Sequence, residues 1–261
     1  MNAGDASLLL ATLPSSAFAF VLVLSRVSAA VMLLPGLGEA DPPAIVRAGL
    51  AVALTVLILP AVSPLIPAVP NDWPTAAAML GSEVITGLWL GWLARMLVLA
   101  LAMAGQIIAY MLGLANVLQA DVEMGAQETA LGRLFTLAAP VVVLSSGLYA
   151  LPVAALAGSY RLIAPAAMLP DGPATEGVVR AVAGGFGLAL RLASPFVVAS
   201  IVWHVAAGLV ARLIPRVQVY FLALPGQILG GLVLLAMLSV ALMQAWEQAV
   251  RSGFGSLPGL H

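Results

Sequence analysis

The sequence predicts an all-α membrane protein built from about six long hydrophobic helices. Of the 261 residues, 62% are hydrophobic and only 8% are charged. A chain of this composition has too little polar surface to cover a water-soluble globule. Its apolar residues also fall into runs of 20 or more, the length at which a helix crosses a bilayer, and Pro, Gly and acidic residues separate the runs.

Six apolar segments are predicted along one continuous domain, residues 1–261, which has no soluble domain or linker. They cover residues 8–34, 44–66, 75–118, 130–157, 178–214 and 217–250. The first segment is expected to be a retained span, because the residues before it include an Asp and no basic residue, unlike a cleaved signal peptide.

Prolines and acidic residues between the segments predict where the helices end. Residues 35–43 combine three prolines with two acids and end the first segment, while prolines around Asn71 and Asp72 end the second. The third segment is about twice the length that one crossing needs, so it is either two helices or one long bent helix. Arg95 lies at its middle without a neighbouring Gly or Pro pair, which favours one long helix.

The second half of the chain follows the same pattern. Residues 119–128 are the most polar internal stretch and are predicted to be a loop. A Pro- and Gly-rich connection at residues 165–177 precedes the fifth segment, which is again overlong and contains Arg191 and Pro195. Pro140, Pro195 and Pro225 are expected to kink their helices.

Arginines in the connections do not define an orientation. With connections assigned alternately to two sides, Arg47, Arg133, Arg212 and Arg216 fall on one side, and Arg161, Arg180 and Arg251 on the other. Cytoplasmic loops normally carry a clear excess of Arg and Lys. The near-tie suggests that these helices do not all cross a bilayer in the ordinary way.

Four charges inside apolar segments are the candidate functional residues: Arg26, Glu83, Arg95 and Arg191. A charge at the centre of a bilayer costs at least about 2.5–3.5 kcal/mol on insertion scales, so it is retained for a reason. One interpretation is that these charges pair with each other or with a partner subunit and fix the assembly. Proton relay, substrate binding and snorkelling remain alternatives.

No enzymatic or cofactor motif is found. The chain has no Cys and only two His, and no carboxylate cluster has the spacing of a metal site. Ser200 lies one helical turn from His204, yet no nucleophile elbow surrounds it. Phosphate-binding and dinucleotide-binding fingerprints are absent, and the formal charge of -1 gives no basic stripe for nucleic acid. The sequence predicts a non-enzymatic protein without cofactors or metals.

Three stretches, in order, resemble the FliR/SctT family of flagellar and type III secretion export proteins. They are residues 26–35 with 43–51, residues 105–114, and residues 212–220 with 224–228. In the third stretch Arg212, Pro215, Gln218 and Pro225 form the family-like loop motif.

The resemblance implies a subunit of a helical export-gate assembly, together with FliP-like, FliQ-like and FlhB-like subunits. Such a gate forms and closes a pore for unfolded flagellar proteins at the basal body, in the bacterial inner membrane. The family's helices form a cone largely above that membrane, which would account for the overlong segments. A virulence secretion gate is the first alternative, and a stand-alone transporter with a site near Glu83, Arg95 or Arg191 is the second.

The resemblance also implies a pore plug directly after the third segment. The matching residues are Leu114, Ala115, Asn116, Val117, Leu118 and Gln119. Some relatives use bulky aromatic side chains here and this chain does not. The resemblance therefore does not identify which of these residues close the pore. A ring of apolar and amide side chains can still close a pore by packing and dewetting.

Overall fold

A computed structural model describes residues 3–39, 42–114, 129–213 and 219–260, without the side chains of residues 3–12 and 219–222. Within these ranges the fold is all-α, which confirms the predicted class. The helices are α1 (Ala3–Val31), α2 (Ala44–Val62), α3 (Trp73–Met111), α4 (Ala130–Ser145), α5 (Ala150–Leu162), α6 (Asp171–Leu213) and α7 (Val219–Gly255). A 3₁₀ turn, Ser63–Leu65, extends α2.

Several helices are longer than a membrane is thick. The predicted third segment is a single helix of 39 residues, and α6 has 43. At about 1.5 Å per residue they are roughly 58 and 64 Å long, about twice the ~30 Å hydrocarbon core of a bilayer. Five described helices are long and apolar enough to cross a membrane, or six if α4 and α5 together form one span. The expectation of about six hydrophobic helices, some overlong, is confirmed.

The predicted segment 130–157 was wrong as one helix, because α4 ends at Ser145 and α5 begins at Ala150. Gly147 lies between them with φ +74°, a left-handed conformation that glycine adopts without steric cost. Pro152 falls in the first turn of α5, where its missing N–H is not needed. The break lies in an apolar stretch, so hydropathy alone does not reveal it.

The ends of the long helices also differ from the prediction. Helix α6 begins at Asp171, inside the predicted connection 165–177, where an acidic residue in the first turn complements the helix dipole. At the start of α3, the Thr75 N–H donates to Asp72 Oδ2 at 2.9 Å. Hydrogen bonds from the Thr75 side chain and backbone hold the pKa of Asp72 below its ordinary value.

The chain packs as two compact units. The first comprises Met1–Met96, Val143–Ala181 and Gly253–His261, and the second comprises Leu97–Val142 and Val182–Ser252. An apolar core in the first unit joins α1, α2, α3 and α5. Its buried residues are Val23, Val27, Ala30, Val31, Ile58, Val62, Leu90, Leu156 and Tyr160.

Glycines on α3 allow this helix to approach α1 closely. A Cβ at Gly87 would collide with the carbonyl oxygen of Arg26, and one at Gly91 would lie 2.7 Å from the carbonyl oxygen of Ala30. Both obstacles are backbone atoms, which cannot rotate away as a side chain can. The two glycines therefore fix the distance between the two helices, as small residues do in membrane helix pairs.

A Gly87→Ala substitution is expected to destabilise the first unit by about 1–3 kcal/mol, the usual cost of overpacking. The matched control is Gly81→Ala on the same helix, where a Cβ would have nothing within 4 Å. That change should be neutral or slightly stabilising, because Ala is the better helix former. Denaturant titration of the purified variants in detergent micelles measures both, and equal stabilities would show that the close approach is unimportant.

Candidate functional site

Arg26 on α1 and Glu83 on α3 form a fully buried ion pair in the first unit. Arg26 Nε donates to Glu83 Oε2 at 2.7 Å, and Nη2 donates to Oε1 at 2.9 Å. This is the parallel two-bond arrangement in which a guanidinium and a carboxylate interact most strongly. The two predicted charges, 57 positions apart in the chain, are thus partners of one another.

The third guanidinium nitrogen of Arg26 is also hydrogen-bonded. Arg26 Nη1 donates to Ser159 Oγ at 3.2 Å and to the Ile163 carbonyl oxygen at 3.1 Å. The Tyr160 ring centroid lies 4.0 Å from the guanidinium carbon, a cation–π contact. Because Ser159 and Tyr160 are on α5, the cluster ties three helices together.

Glu83 also holds the segment that follows α5. Its Oε1 accepts a hydrogen bond from the Ala166 N–H at 2.7 Å. Ala166 has φ +65°, a left-handed conformation that costs a residue with a Cβ about 1–2 kcal/mol. The hydrogen bond to a charged acceptor offsets part of that cost. Ser159, Tyr160 and Ala166 were not predicted as site residues, since no local sequence pattern marks them.

Arg95 forms a second, half-buried ion pair in the same unit. Its Nη2 lies 3.3 Å from Glu39 Oε2, with 29% and 22% of the two side chains exposed. Glu39 also accepts a hydrogen bond from the Gly36 N–H at 3.3 Å. Arg95 therefore holds the loop that follows α1. Glu39 was missed as a partner, although an acid in the Pro- and Gly-rich stretch after the first segment was the available signal.

Arg191 is separate from both pairs. Its side chain is exposed on α6, in the second unit. Among the described residues its guanidinium has no ion pair or hydrogen bond, while its carbonyl oxygen accepts a hydrogen bond from Ser194 Oγ. Within the part of the chain that the structure describes, the four predicted charges thus divide into the Arg26–Glu83 pair, Arg95 with Glu39, and Arg191 without a partner. A role for them in subunit assembly stays a prediction.

Of the predicted plug, only Leu114 is among the described residues, and residues 115–119 lie outside them. Helix α3 ends just before it. The Leu114 N–H donates to the Ala109 carbonyl oxygen at 2.9 Å, and Gly113 adopts φ +74°. A glycine in the left-handed conformation is a usual helix C-terminus. The point from which the predicted plug departs is therefore defined.

Gln227 on α7 holds this end of α3. Its Nε2 donates to the Met111 carbonyl oxygen at 2.8 Å, one of the carbonyls that a helix end leaves without an internal partner. Two glycines make room for the contact between α3 and α7. A Cβ at Gly113 would lie 3.3 Å from Leu224 Cδ1, and one at Gly231 would collide with Leu112.

Gln106 on α3 contacts the backbone on the other side of residues 115–128, where the chain enters α4. Its Oε1 accepts a hydrogen bond from the Thr129 N–H at 3.2 Å. Thr129 Oγ1 in turn accepts from the Gly132 N–H at 3.1 Å, an N-cap of α4. A Cβ at Gly132 would lie 2.5 Å from Gln106 Nε2, so a larger residue here would displace the Gln106 amide.

Glutamine amides therefore bind the backbone on both sides of residues 115–128. Gln106 and Gln227 lie in two of the motifs noted in the sequence, but no role was predicted for either. The available signal was a lone amide beside a glycine in an otherwise apolar helix.

Comparison with known proteins identifies the family. Residues 17–253 match the family described as bacterial export proteins, family 1. The chain belongs to this family. It is 30% identical over 230 residues to the flagellar biosynthetic protein FliR of Caulobacter vibrioides, which covers 88% of this chain and 92% of the relative. The predicted resemblance to the FliR/SctT family is confirmed.

Two further relatives carry the same name. The flagellar biosynthetic protein FliR of Bacillus subtilis is 28% identical over 222 residues, covering 83% of this chain and 84% of the relative. The FliR of Aquifex aeolicus is 26% identical over 223 residues, covering 85% and 86%. In each case the similarity extends along most of both chains.

The third motif of this bacterial export protein is only partly described. Arg212 lies in the last turn of α6, where a cation complements the helix dipole. Pro225 lies inside α7, which continues through it, as α4 and α6 continue through Pro140 and Pro195. Pro215 and Gln218 lie outside the described residues.

Ser200 and His204 of this export protein do not have the geometry of a nucleophile and its base. Ser200 Oγ lies 3.3 Å from His204 Nδ1, but the Ser200 carbonyl oxygen is closer to Nδ1, at 2.7 Å. A carbonyl oxygen only accepts, so Nδ1 is the donor in that contact and cannot take a proton from the hydroxyl. The pair is a local helix interaction.

Proposed function

We propose that this bacterial export protein is a non-enzymatic subunit of the flagellar type III export gate. With FliP-like and FliQ-like subunits, and beside a FlhB-like subunit, it forms and closes the pore for unfolded flagellar proteins. The observation that carries the proposal is the match to a flagellar FliR over 88% of this chain and 92% of the relative. The flagellar names of all three relatives favour a flagellar gate over a virulence secretion gate.

The apolar helices support a place in a membrane-associated assembly, which for this function is the inner membrane at the flagellar basal body. Apolar side chains remain exposed along α2, α6 and α7. Exposed apolar side chains that are neighbours along a helix need lipid or a partner protein to cover them. A gate built from several helical subunits provides that cover.

The stand-alone transporter receives little support from the charge cluster. A transport site has to bind and release its substrate. Here both oxygens of Glu83 accept bonds from Arg26, and Oε1 also accepts one from Ala166. A network whose donors and acceptors are used within the fold stabilises an arrangement of helices instead.

Within this proposal, residues 114–119 are the plug that closes the pore. The contacts of Gln227 and Gln106 support it, because they hold the backbone on both sides of residues 115–128. Fixed ends restrict where the intervening segment can go, which lowers the entropy lost when it closes a pore. Closure by apolar and amide side chains is weak enough to yield to an unfolded substrate.

Deleting the gene for this chain is expected to stop flagellar assembly and swimming, because the pore would be incomplete. Filament counts by electron microscopy and swimming in soft agar measure the effect, and a plasmid copy of the gene should restore both. In the complemented strain, an affinity-tagged chain should co-purify with FliP-like and FliQ-like subunits. Normal filaments in the deletion strain would rule the proposal out.

A further inference from the structure

Residues 184–209 of helix α6 form an exposed face whose one charge is Arg191. We define this α6 face by the residues of that range that lie within about 40° of Arg191 at 3.6 residues per turn. They are Gly184, Gly187, Arg191, Pro195, Val198, Val202, Val205 and Leu209. The side chains of the three valines and of Leu209 are each 58% to 63% exposed. All eight residues belong to the second unit, so the α6 face is a property of that unit alone.

Arg191 needs an acceptor that the described chain does not provide. Its guanidinium has five N–H donors and carries a charge under all physiological conditions. No ion pair or side-chain hydrogen bond of Arg191 is found among the described residues. When apolar material covers the Val and Leu side chains around it, the charge loses water, and an unpaired desolvated charge is strongly unfavourable. Whatever covers the α6 face must therefore bring an acidic group to Arg191.

The glycines indicate that the covering element is another helix. A Cβ at Gly184 or Gly187 would have nothing within 4 Å, so their small size has no use inside the described chain. By contrast, Gly87 and Gly91 are small because α1 packs on them. Glycines facing outward let the backbone of a second helix come close. Lipid chains have no backbone to bring close to these glycines, so lipid does not explain why glycine is present here.

We infer that the α6 face binds a helix of a neighbouring export-gate subunit, and that this helix places an acidic side chain opposite Arg191. Small or apolar residues of the partner helix lie against the glycines on one side of the ion pair and against the valines on the other. The inference rests on the proposed function, because it requires a gate of several subunits. It adds the surface that this chain uses and the chemistry of the partner.

The first test reverses the charge. Arg191→Glu is expected to reduce co-purification of the neighbouring subunits and export of flagellar proteins by at least about tenfold, as expected when a buried pair becomes a like-charge pair. Arg191→Lys should retain most of both. The matched control is Arg180→Glu on the same helix, an exposed residue whose ion pair is with Glu176 in its own chain. Swimming revertants of Arg191→Glu should carry an acid-to-base change in one neighbouring subunit.

The second test leaves Arg191 intact and covers the case in which a charge-reversed chain fails to fold. A benzophenone amino acid at Val202 is expected to cross-link, on illumination in intact cells, to one helix of another export-gate subunit that contains an acid. The control site is Phe186, which is also exposed but points about 160° away from Val202 around the helix. Cross-links from Val202 only to lipid, while the wild-type chain still co-purifies with its partners, would overturn the inference. If the wild-type chain does not co-purify with them, the proposed function itself fails.

Discussion

A Glu83→Leu substitution is expected to lower the free energy of unfolding by about 3–5 kcal/mol, the cost of breaking a buried ion pair by removing one partner. Leucine fills a similar volume, so the loss comes from charge rather than from a cavity. Arg26 would remain fully buried with its Nε and Nη2 donors unpaired, and the Ala166 N–H would lose its acceptor. Denaturant titration of the purified chain in detergent micelles measures this difference, and cells should contain less of the variant chain.

Two controls separate the effect of burial from the loss of a charge. Glu176→Leu removes the same group from an exposed pair on α6 and should change stability little, because water screens and replaces such pairs. The double variant Arg26→Leu with Glu83→Leu should recover part of the loss, since neither charge is then left alone. A Glu83→Leu chain as stable as the wild type would show that this pair does not hold the helices together.

The position of the ion pair explains why so large a cost is expected. It joins α1 and α3 directly, α5 through Ser159 and Tyr160, and the segment after α5 through Ala166. Apolar packing alone tolerates sliding, because one methyl group contacts another almost as well. A bidentate pair with further directed hydrogen bonds allows one arrangement of the helices. A subunit that must match its neighbours benefits from such a fixed surface.

The sequence predicts the fold class well because run length is a direct physical requirement. A helix of 39 or 43 mostly apolar residues leaves a long hydrophobic signal in the sequence. The break after α4 leaves only a short signal, the Ser146-Gly147 dipeptide, which is typical of a turn. Residues 146–149 sit within an apolar stretch, and Gly147 is the one residue there whose backbone conformation requires its identity. The length of the long helices could therefore be predicted from the sequence, but the position of the bend between α4 and α5 could not.

Pairing of the charges depends on geometry that no single segment contains. Arg26 and Glu83 each stood out because a charge in an apolar helix is costly. That they meet follows from the close crossing of α1 and α3 at Gly87 and Gly91, which is a tertiary property. Gln106 was harder still, since its partner is a backbone N–H. Every residue but proline has such a group, so the partner leaves no mark in the sequence.

A Gln227→Leu substitution is expected to make the assembled gate leak. Leucine occupies a similar volume but cannot donate to the Met111 carbonyl oxygen, which the wild-type amide binds at 2.8 Å. An acceptor left unpaired in an apolar setting costs about 1–3 kcal/mol. If the closed state bears that cost and the open state does not, the open population rises roughly 5- to 150-fold. Ion flux or uptake of a small dye, measured in cells that assemble the gate but lack its exported substrates, reports this population.

The comparison that decides this prediction uses three chains in the same strain. Deletion of residues 114–119 removes the proposed plug and should give the largest leak. Gln244→Leu makes the same change at an exposed position of α7 and should leave the gate sealed, provided that all chains co-purify equally with their partners. A sealed deletion variant would show that residues 114–119 are not the plug. A leaking deletion with a sealed Gln227→Leu chain would instead show that the plug closes without the glutamine. Leakage of both, with Gln244→Leu sealed, is the expected result, because the end of α3 that Gln227 binds is the point from which the plug departs.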